Sequence, residues 1–94
     1  MRFAVYILKC CDNSYYVGHT DNLPARISQH VQGKGCTYTS KRLPVKLVFR
    51  QFFISRDAAF RAERKVKGWS RAKKEALIDG DWSAIVSLSN KKQS

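Results

Sequence analysis

The chain opens on two short runs in which side chains alternate faces with a period of two. From Phe3 to Cys10 the residues are mostly apolar β-formers, with Phe3, Val5 and Ile7 on one face and Ala4, Tyr6 and Leu8 on the other. From Ser14 to Thr20 a second run places Tyr16, Gly18 and Thr20 on a common face. Asp12 and Asn13 supply turn chemistry between them. A three-residue loop pairs Cys10 with Ser14, and Tyr6 then falls opposite Gly18. In that register Tyr6 and Tyr16 are diagonal neighbours on one face. A slip of one residue would part them.

Beyond Thr20 the apolar spacing lengthens to that of helices. Asp21 or Asn22 is placed to cap a helix with Pro24 in its first turn, and Leu23, Ile27 and Val31 form its buried stripe. Arg26 and His30, also four apart, sit beside that stripe. Gly33 and Gly35 end the helix, and a polar loop runs from Gln32 to Pro44. Val45 to Ile54 reads as a third strand. Ser55 caps a second helix from Arg56 to Gly68, with Ala59, Ala62, Val66 and Trp69 as its apolar stripe. Ser70 caps a third helix that Gly80 ends, and Asp81 caps a last one from Trp82 to Leu88. Trp82 and Leu88 are expected in the core, with a docking patch as the alternative. Residues 89–94 are expected to form a frayed polar tail, so residues 1–88 make a single domain. The order β-β-α-β-α-α-α, with helices packed on an antiparallel hairpin and one later strand, is an α+β architecture.

Charge changes the picture more than size does. Eighteen Lys plus Arg against seven Asp plus Glu leave a net charge of +11 on 94 residues. Such self-repulsion is tolerable on a surface that meets a polyanion, and nucleic acid is the commonest. No polybasic tail beside an apolar span points to a membrane, and no segment has the roughly 20 apolar residues of a membrane span. The opening MRFAVYILK is too short an apolar run for a signal peptide. Three cysteines, Cys10, Cys11 and Cys36, are an odd number with an adjacent pair, which suits a reducing cytoplasm. No C-x-x-C or H-x-x-x-H spacing supports a zinc site from Cys10, Cys36, His19 and His30.

Several residues carry more than one reading. Glu63 is the one carboxylate among Arg61, Arg64, Lys65, Lys67, Arg71, Lys73 and Lys74, and it lies about 40° from Ala59, at the edge of its helix's apolar stripe. It is either an i, i+4 partner of Lys67 or a ligand for a divalent ion. Arg26 is either a solvated cation or a phosphate clamp, with His30 binding or protonating a leaving oxygen beside it. Tyr6 and Tyr16 are sheet residues or site residues. A phenol with its ordinary pKa near 10 needs a metal or cations nearby before it accepts a proton at pH 7. Gly18 marks a bulge or a close approach. His19, on the opposite strand face from Tyr16, is a sheet residue or reaches a phosphate. Together, two tyrosines, an Arg–His pair and an isolated carboxylate in a basic cleft are equipment for phosphodiester hydrolysis.

These residues resemble the GIY-YIG nucleases. Ala4-Val5-Tyr6 stands for the first half-motif, with Ala4 at the name-giving glycine, and Tyr16-Val17-Gly18 for the second. Arg26, His30 and Glu63 match the positions that follow, so the resemblance runs over about residues 3 to 80. It implies a small three-stranded antiparallel sheet flanked by helices and metal-dependent cleavage of DNA, with branched or damaged DNA in repair or recombination as the expected substrate. It implies Tyr6 as proton acceptor for the attacking water, Tyr16 as its support and Arg26 as phosphate clamp. His30 would assist, and Glu63 would hold a single Mg²⁺ or Mn²⁺ ion. His19, Lys34, Lys41, Arg42, Arg64, Lys65, Lys67 and Arg71 are expected to meet DNA, with RNA and a specificity-providing protein as further partners. The competing expectation is a nucleic-acid-binding module on the same scaffold without useful catalysis.

Overall fold

A computed structural model describes the backbone of residues 2–91 and side chains through residue 87. The elements are β1 (Phe3–Lys9), β2 (Tyr15–Thr20), α1 (Leu23–Val31), α2 (Thr37–Ser40), β3 (Lys46–Phe53), α3 (Arg56–Lys67), α4 (Arg71–Asp79) and α5 (Trp82–Lys91). The order matches the expected one, with a single added helical turn, α2, inside the expected loop. Thr39 is fully buried there, and that anchor holds the turn in place.

The three strands form one antiparallel sheet in the order β2-β1-β3. The amide of Cys10 donates to the Ser14 carbonyl at 2.9 Å, closing the three-residue loop, and Asn13 takes the left-handed φ of 68°. Tyr6 consequently pairs with Gly18 and Val5 with His19. The central strand β1 is buried from Ala4 to Leu8, because helices cover both of its faces.

One layer holds Ala4, Tyr6 and Leu8 against Leu23 and Ile27 of α1, with Tyr16 beside them. The other holds Val5, Ile7 and Val17 against Ala59 and Val66 of α3, Ala76 and Leu77 of α4 and Ile85 of α5. Asn22, Ser55 and Ser70 cap α1, α3 and α4 through their side-chain oxygens, as the sequence requires. Gly80 ends α4 at a φ of 73°.

Three expectations are corrected. Val31 is 55% exposed, and His30 takes its place in the buried face of α1. At 100° per residue, i+7 returns to within 20° of residue i while i+8 lies 80° away, so Leu23, Ile27 and His30 are the tighter stripe. Trp82 is 63% exposed, because Ile85 is the residue that α5 turns into the core. Helix α5 continues to Lys91, since no glycine or proline interrupts it after Leu88. The remainder of the expected tail, residues 92–94, and the Leu88 side chain lie outside the described residues. No described helix is long and apolar enough to cross a membrane.

Candidate active site

The site is built on the hairpin. Gly18 has no side chain, so the Tyr6 ring lies across it: a Cβ at Gly18 would stand 2.5 Å from Tyr6 Oη and 3.2 Å from the Tyr16 ring. The two tyrosine rings are 6.4 Å apart, on the same face. Helix α1 brings His30 over them, with its ring 5.2 Å from that of Tyr16. His30 Nε2 is 2.9 Å from Tyr6 Oη, and His30 Nδ1 is 2.8 Å from Thr39 Oγ1. Gly35 gives the loop room to pass, since a Cβ there would stand within 2.2 Å of His30 Nδ1.

These contacts suit the tautomer that carries its proton on Nδ1. Thr39 Oγ1 donates onward to the Cys36 carbonyl at 3.4 Å, which leaves its lone pairs to accept from Nδ1–H. Nε2 is then the acceptor, and the Tyr6 hydroxyl donates to it. Burial pushes the His30 pKa down, helped by the Arg26 charge, so the ring is neutral. Burial pushes the Tyr6 pKa up, partly offset by the Arg26 guanidinium beside its hydroxyl. Tyr16 is pushed up to about 12, first by burial and then by its hydrogen bond with Cys36. Arg26, half-buried, is held charged chiefly by Tyr6 and also by Tyr16. His30 is fully buried and does not itself meet a leaving oxygen, and Tyr6 is only 1% exposed, so the half-buried Arg26 is the most open group of the three.

Glu63 comes from the other layer. Helix α3 packs on the Val5 and Val17 face, and Glu63 is 7% exposed at its margin. Oε1 lies 3.2 Å from His19 Nδ1 and 3.5 Å from Lys67 Nζ. The His19 nitrogen is buried and off the hydrogen-bond line, so it has no hydrogen-bond partner. The two half-sites therefore do not share one face of the sheet. They meet at β2, the edge strand, where Tyr6 crosses Gly18 from one side and Glu63 abuts His19 from the other. The Glu63 charge still reaches Tyr6, as a minor influence on its pKa.

The donor set fits a hard divalent cation. Glu63 offers one shielded carboxylate, and both of its ion pairs fall on Oε1. Among the described residues no group of three or more His, Cys, Asp or Glu side chains forms a cage. Glu63 would hold such an ion as its single protein carboxylate, and the ion would supply positive charge at the β2 edge.

The expected basic contacts divide. Lys34 and Lys41 are exposed in the segment between α1 and β3. Arg42 is committed elsewhere, 3.1 Å from Asp12 and stacked 3.8 Å over Tyr38, whose ring lies 5.9 Å from that of Tyr16. Arg71 pairs with Glu75 at 3.3 Å, donates to the Asn13 carbonyl and lies over Tyr15. Lys67 pairs with Glu63, Arg64 lies over Phe60, and Lys65 lines an apolar groove with Trp69 and Trp82. Sequence reasoning missed Thr39, which carries no signal until the fold sets it behind His30. It also missed Gly35, whose role is a backbone approach.

Gly18→Ala is a direct check on this geometry. The Tyr6 ring cannot swing clear without breaking its bond to His30, so the variant is expected to lose about 1–3 kcal/mol of stability. Thermal denaturation measures it, and an unchanged midpoint would mean that Tyr6 does not lie over Gly18.

Comparison with known proteins adds four findings. The family model described as the GIY-YIG catalytic domain matches residues 2–76. The UPF0213 protein of Staphylococcus haemolyticus is 48% identical over 78 residues, covering 83% of this chain and 95% of that one. The UPF0213 protein of Natronomonas pharaonis is 45% identical over 74 residues, covering 79% and 87%. The solution NMR structure of a UPF0213 protein from Bacillus halodurans is 46% identical, covers 84% of each chain and superposes with a TM-score of 0.56.

Proposed function

Because this chain belongs to the GIY-YIG family, a nuclease family whose members generally use divalent metal ions, we propose that it is a DNA endonuclease dependent on Mg²⁺ or Mn²⁺. The observation that carries this reading is the Tyr6 hydroxyl, hydrogen-bonded at 2.9 Å to a buried neutral His30 and flanked by Arg26.

Tyr6 is the general base toward the attacking water. At rest burial keeps both Tyr6 and His30 neutral, so the proton stays on the phenol. Passing it to His30 Nε2 leaves a phenolate that Arg26 stabilises, and that oxygen takes a proton from water. A divalent ion held at Glu63 supplies the charge that neutralises the phosphate and favours the ionised phenol. Arg26, half-buried and donating from Nη1 to Gln29 Oε1 at 3.0 Å, would meet a phosphate oxygen with its remaining N–H groups. Tyr16, with its high pKa, keeps its proton and acts as a hydrogen-bond donor.

The net charge of +11 supports DNA as the substrate. Branched or damaged DNA is the proposed target, and a protein partner or RNA is a secondary expectation. The test is nicking of supercoiled and branched DNA with Mg²⁺, with Mn²⁺ and with chelator, alongside affinity as a function of salt. Metal-dependent cleavage and an affinity that falls steeply with salt are expected. Binding without cleavage on every substrate would leave a nucleic-acid-binding module in its place.

A further inference from the structure

An open cavity of about 430 Å³ lies beside Glu63, lined by His19, Arg56, Asp57 and Phe60. It is on the α3 face of the sheet, away from Tyr6 and His30. Phe60 is 41% exposed, an aromatic ring left in solvent one helical turn before Glu63. Its surroundings are fixed: the His19 ring meets it edge-on at 5.6 Å, and the Arg64 guanidinium lies 5.6 Å from its centroid. His19 also contributes the buried nitrogen that lacks a hydrogen-bond partner, 3.2 Å from Glu63. At the rim Asp57 pairs through Oδ2 with Arg61 at 3.0 Å, and Arg56 pairs through Nη2 with Asp21 at 3.4 Å, so Asp57 Oδ1 and the other Arg56 nitrogens are the acceptor and donors left for a ligand.

We propose that this cavity is a nucleobase subsite, in which a base flanking the scissile phosphate leaves its stack and lies against Phe60. The inference rests on the nuclease reading for its location next to the reacting phosphate. Three features select a base over other occupants. A planar aromatic face with flanking cations stacks any base and tolerates its sequence. Asp57 can accept from an exocyclic amine, which an apolar ligand would waste. The pocket opens beside a carboxylate suited to a phosphate-bound ion, so a base in it stays connected to a backbone at Glu63.

The test compares a short deoxyadenylate strand with a tetrahydrofuran strand of equal length, which has the same phosphates and no bases. Both are titrated into the whole chain in chelator, so that no strand is cut, with NMR detection. The base-bearing strand is expected to shift the Phe60 and His19 ring signals. The abasic strand is expected to shift only amides of the basic segment around Lys34 and Lys41. Phe60→Ala should weaken deoxyadenylate binding by about 5- to 150-fold. Phe60→Trp should restore it, and neither variant should alter binding of the abasic strand. Equal weakening of both strands by Phe60→Ala would overturn the subsite, as would Phe60 signals unmoved while the Lys34 and Lys41 amides shift. Either of those results leaves metal-dependent cleavage intact as a separate measurement. If neither strand binds anywhere, the subsite falls together with the nucleic-acid reading.

Discussion

Replacing Glu63 with alanine is expected to lower DNA cleavage by about 10²–10³-fold while DNA affinity is kept. Electrostatic help from a bound ion contributes several kcal/mol to the transition state, and each 1.36 kcal/mol is about tenfold in rate. Glu63 is the one carboxylate at the point where α3 meets the β2 edge, and it is held by His19 and Lys67. Its loss removes a negative charge from a basic surface, so DNA binding holds or tightens. The fold should survive, since Lys67 is half-exposed and rehydrates. Glu63→Gln keeps the shape and loses the charge, and it separates the two contributions. The measurement is the single-turnover rate against Mg²⁺ and Mn²⁺ concentration for wild type and both variants. Equal cleavage by Glu63→Ala and wild type would remove Glu63 from the site.

Tyr6→Phe is expected to lower the rate by about 10²–10⁴-fold, the ordinary worth of a positioned general base. The substitution removes only the hydroxyl. It leaves His30 Nε2 buried without its donor, which costs about 1–3 kcal/mol of stability. A structural role alone would give the stability loss without the rate loss, and DNA affinity separates either from misfolding.

The pH dependence gives a second readout. His30 has its pKa lowered, so it must be neutral to accept the Tyr6 proton. The stability it lends is present above the ordinary histidine value of about 6.5 and is lost as pH falls from there through the lower folded-state pKa. The acid limb of the wild-type rate profile should lie below that ordinary value. A Tyr6→Phe rate within a few-fold of wild type would displace Tyr6 as the base.

How much of this was legible beforehand differs by element. The hairpin register was, because alternation and a three-residue loop leave one pairing that keeps Tyr6 and Tyr16 together, and the structure has it. Glu63 at the edge of the α3 stripe was legible for the same reason of angle. What the pattern could not supply was depth. Four-residue spacing puts Val31 and His30 at nearly equal rank, and only the space over Tyr6 and Tyr16 decides that the histidine goes in. Strand alternation places His19 and Gly18 on opposite faces, so the two parts of the site approach the β2 edge from either side. Helix α3 then meets His19 and the Tyr6 ring meets Gly18. Thr39 and Phe60 act through neighbours distant in sequence, so spacing along the chain carried no sign of them.

The bond from Tyr6 to His30 has a kinetic meaning. Behind the imidazole stands a threonine whose own hydrogen points to a backbone carbonyl, and both side chains are sealed from solvent. The row of hydrogen-bonding groups leads on from Thr39 Oγ1 to the half-buried Cys36 thiol 3.4 Å away, so the imidazole has one neighbour at each end. Under the proposed mechanism a proton taken up by the imidazole would have two exits, back through the tyrosine or on past Thr39 to the Cys36 thiol, and only the first would wait for the cut strand to leave.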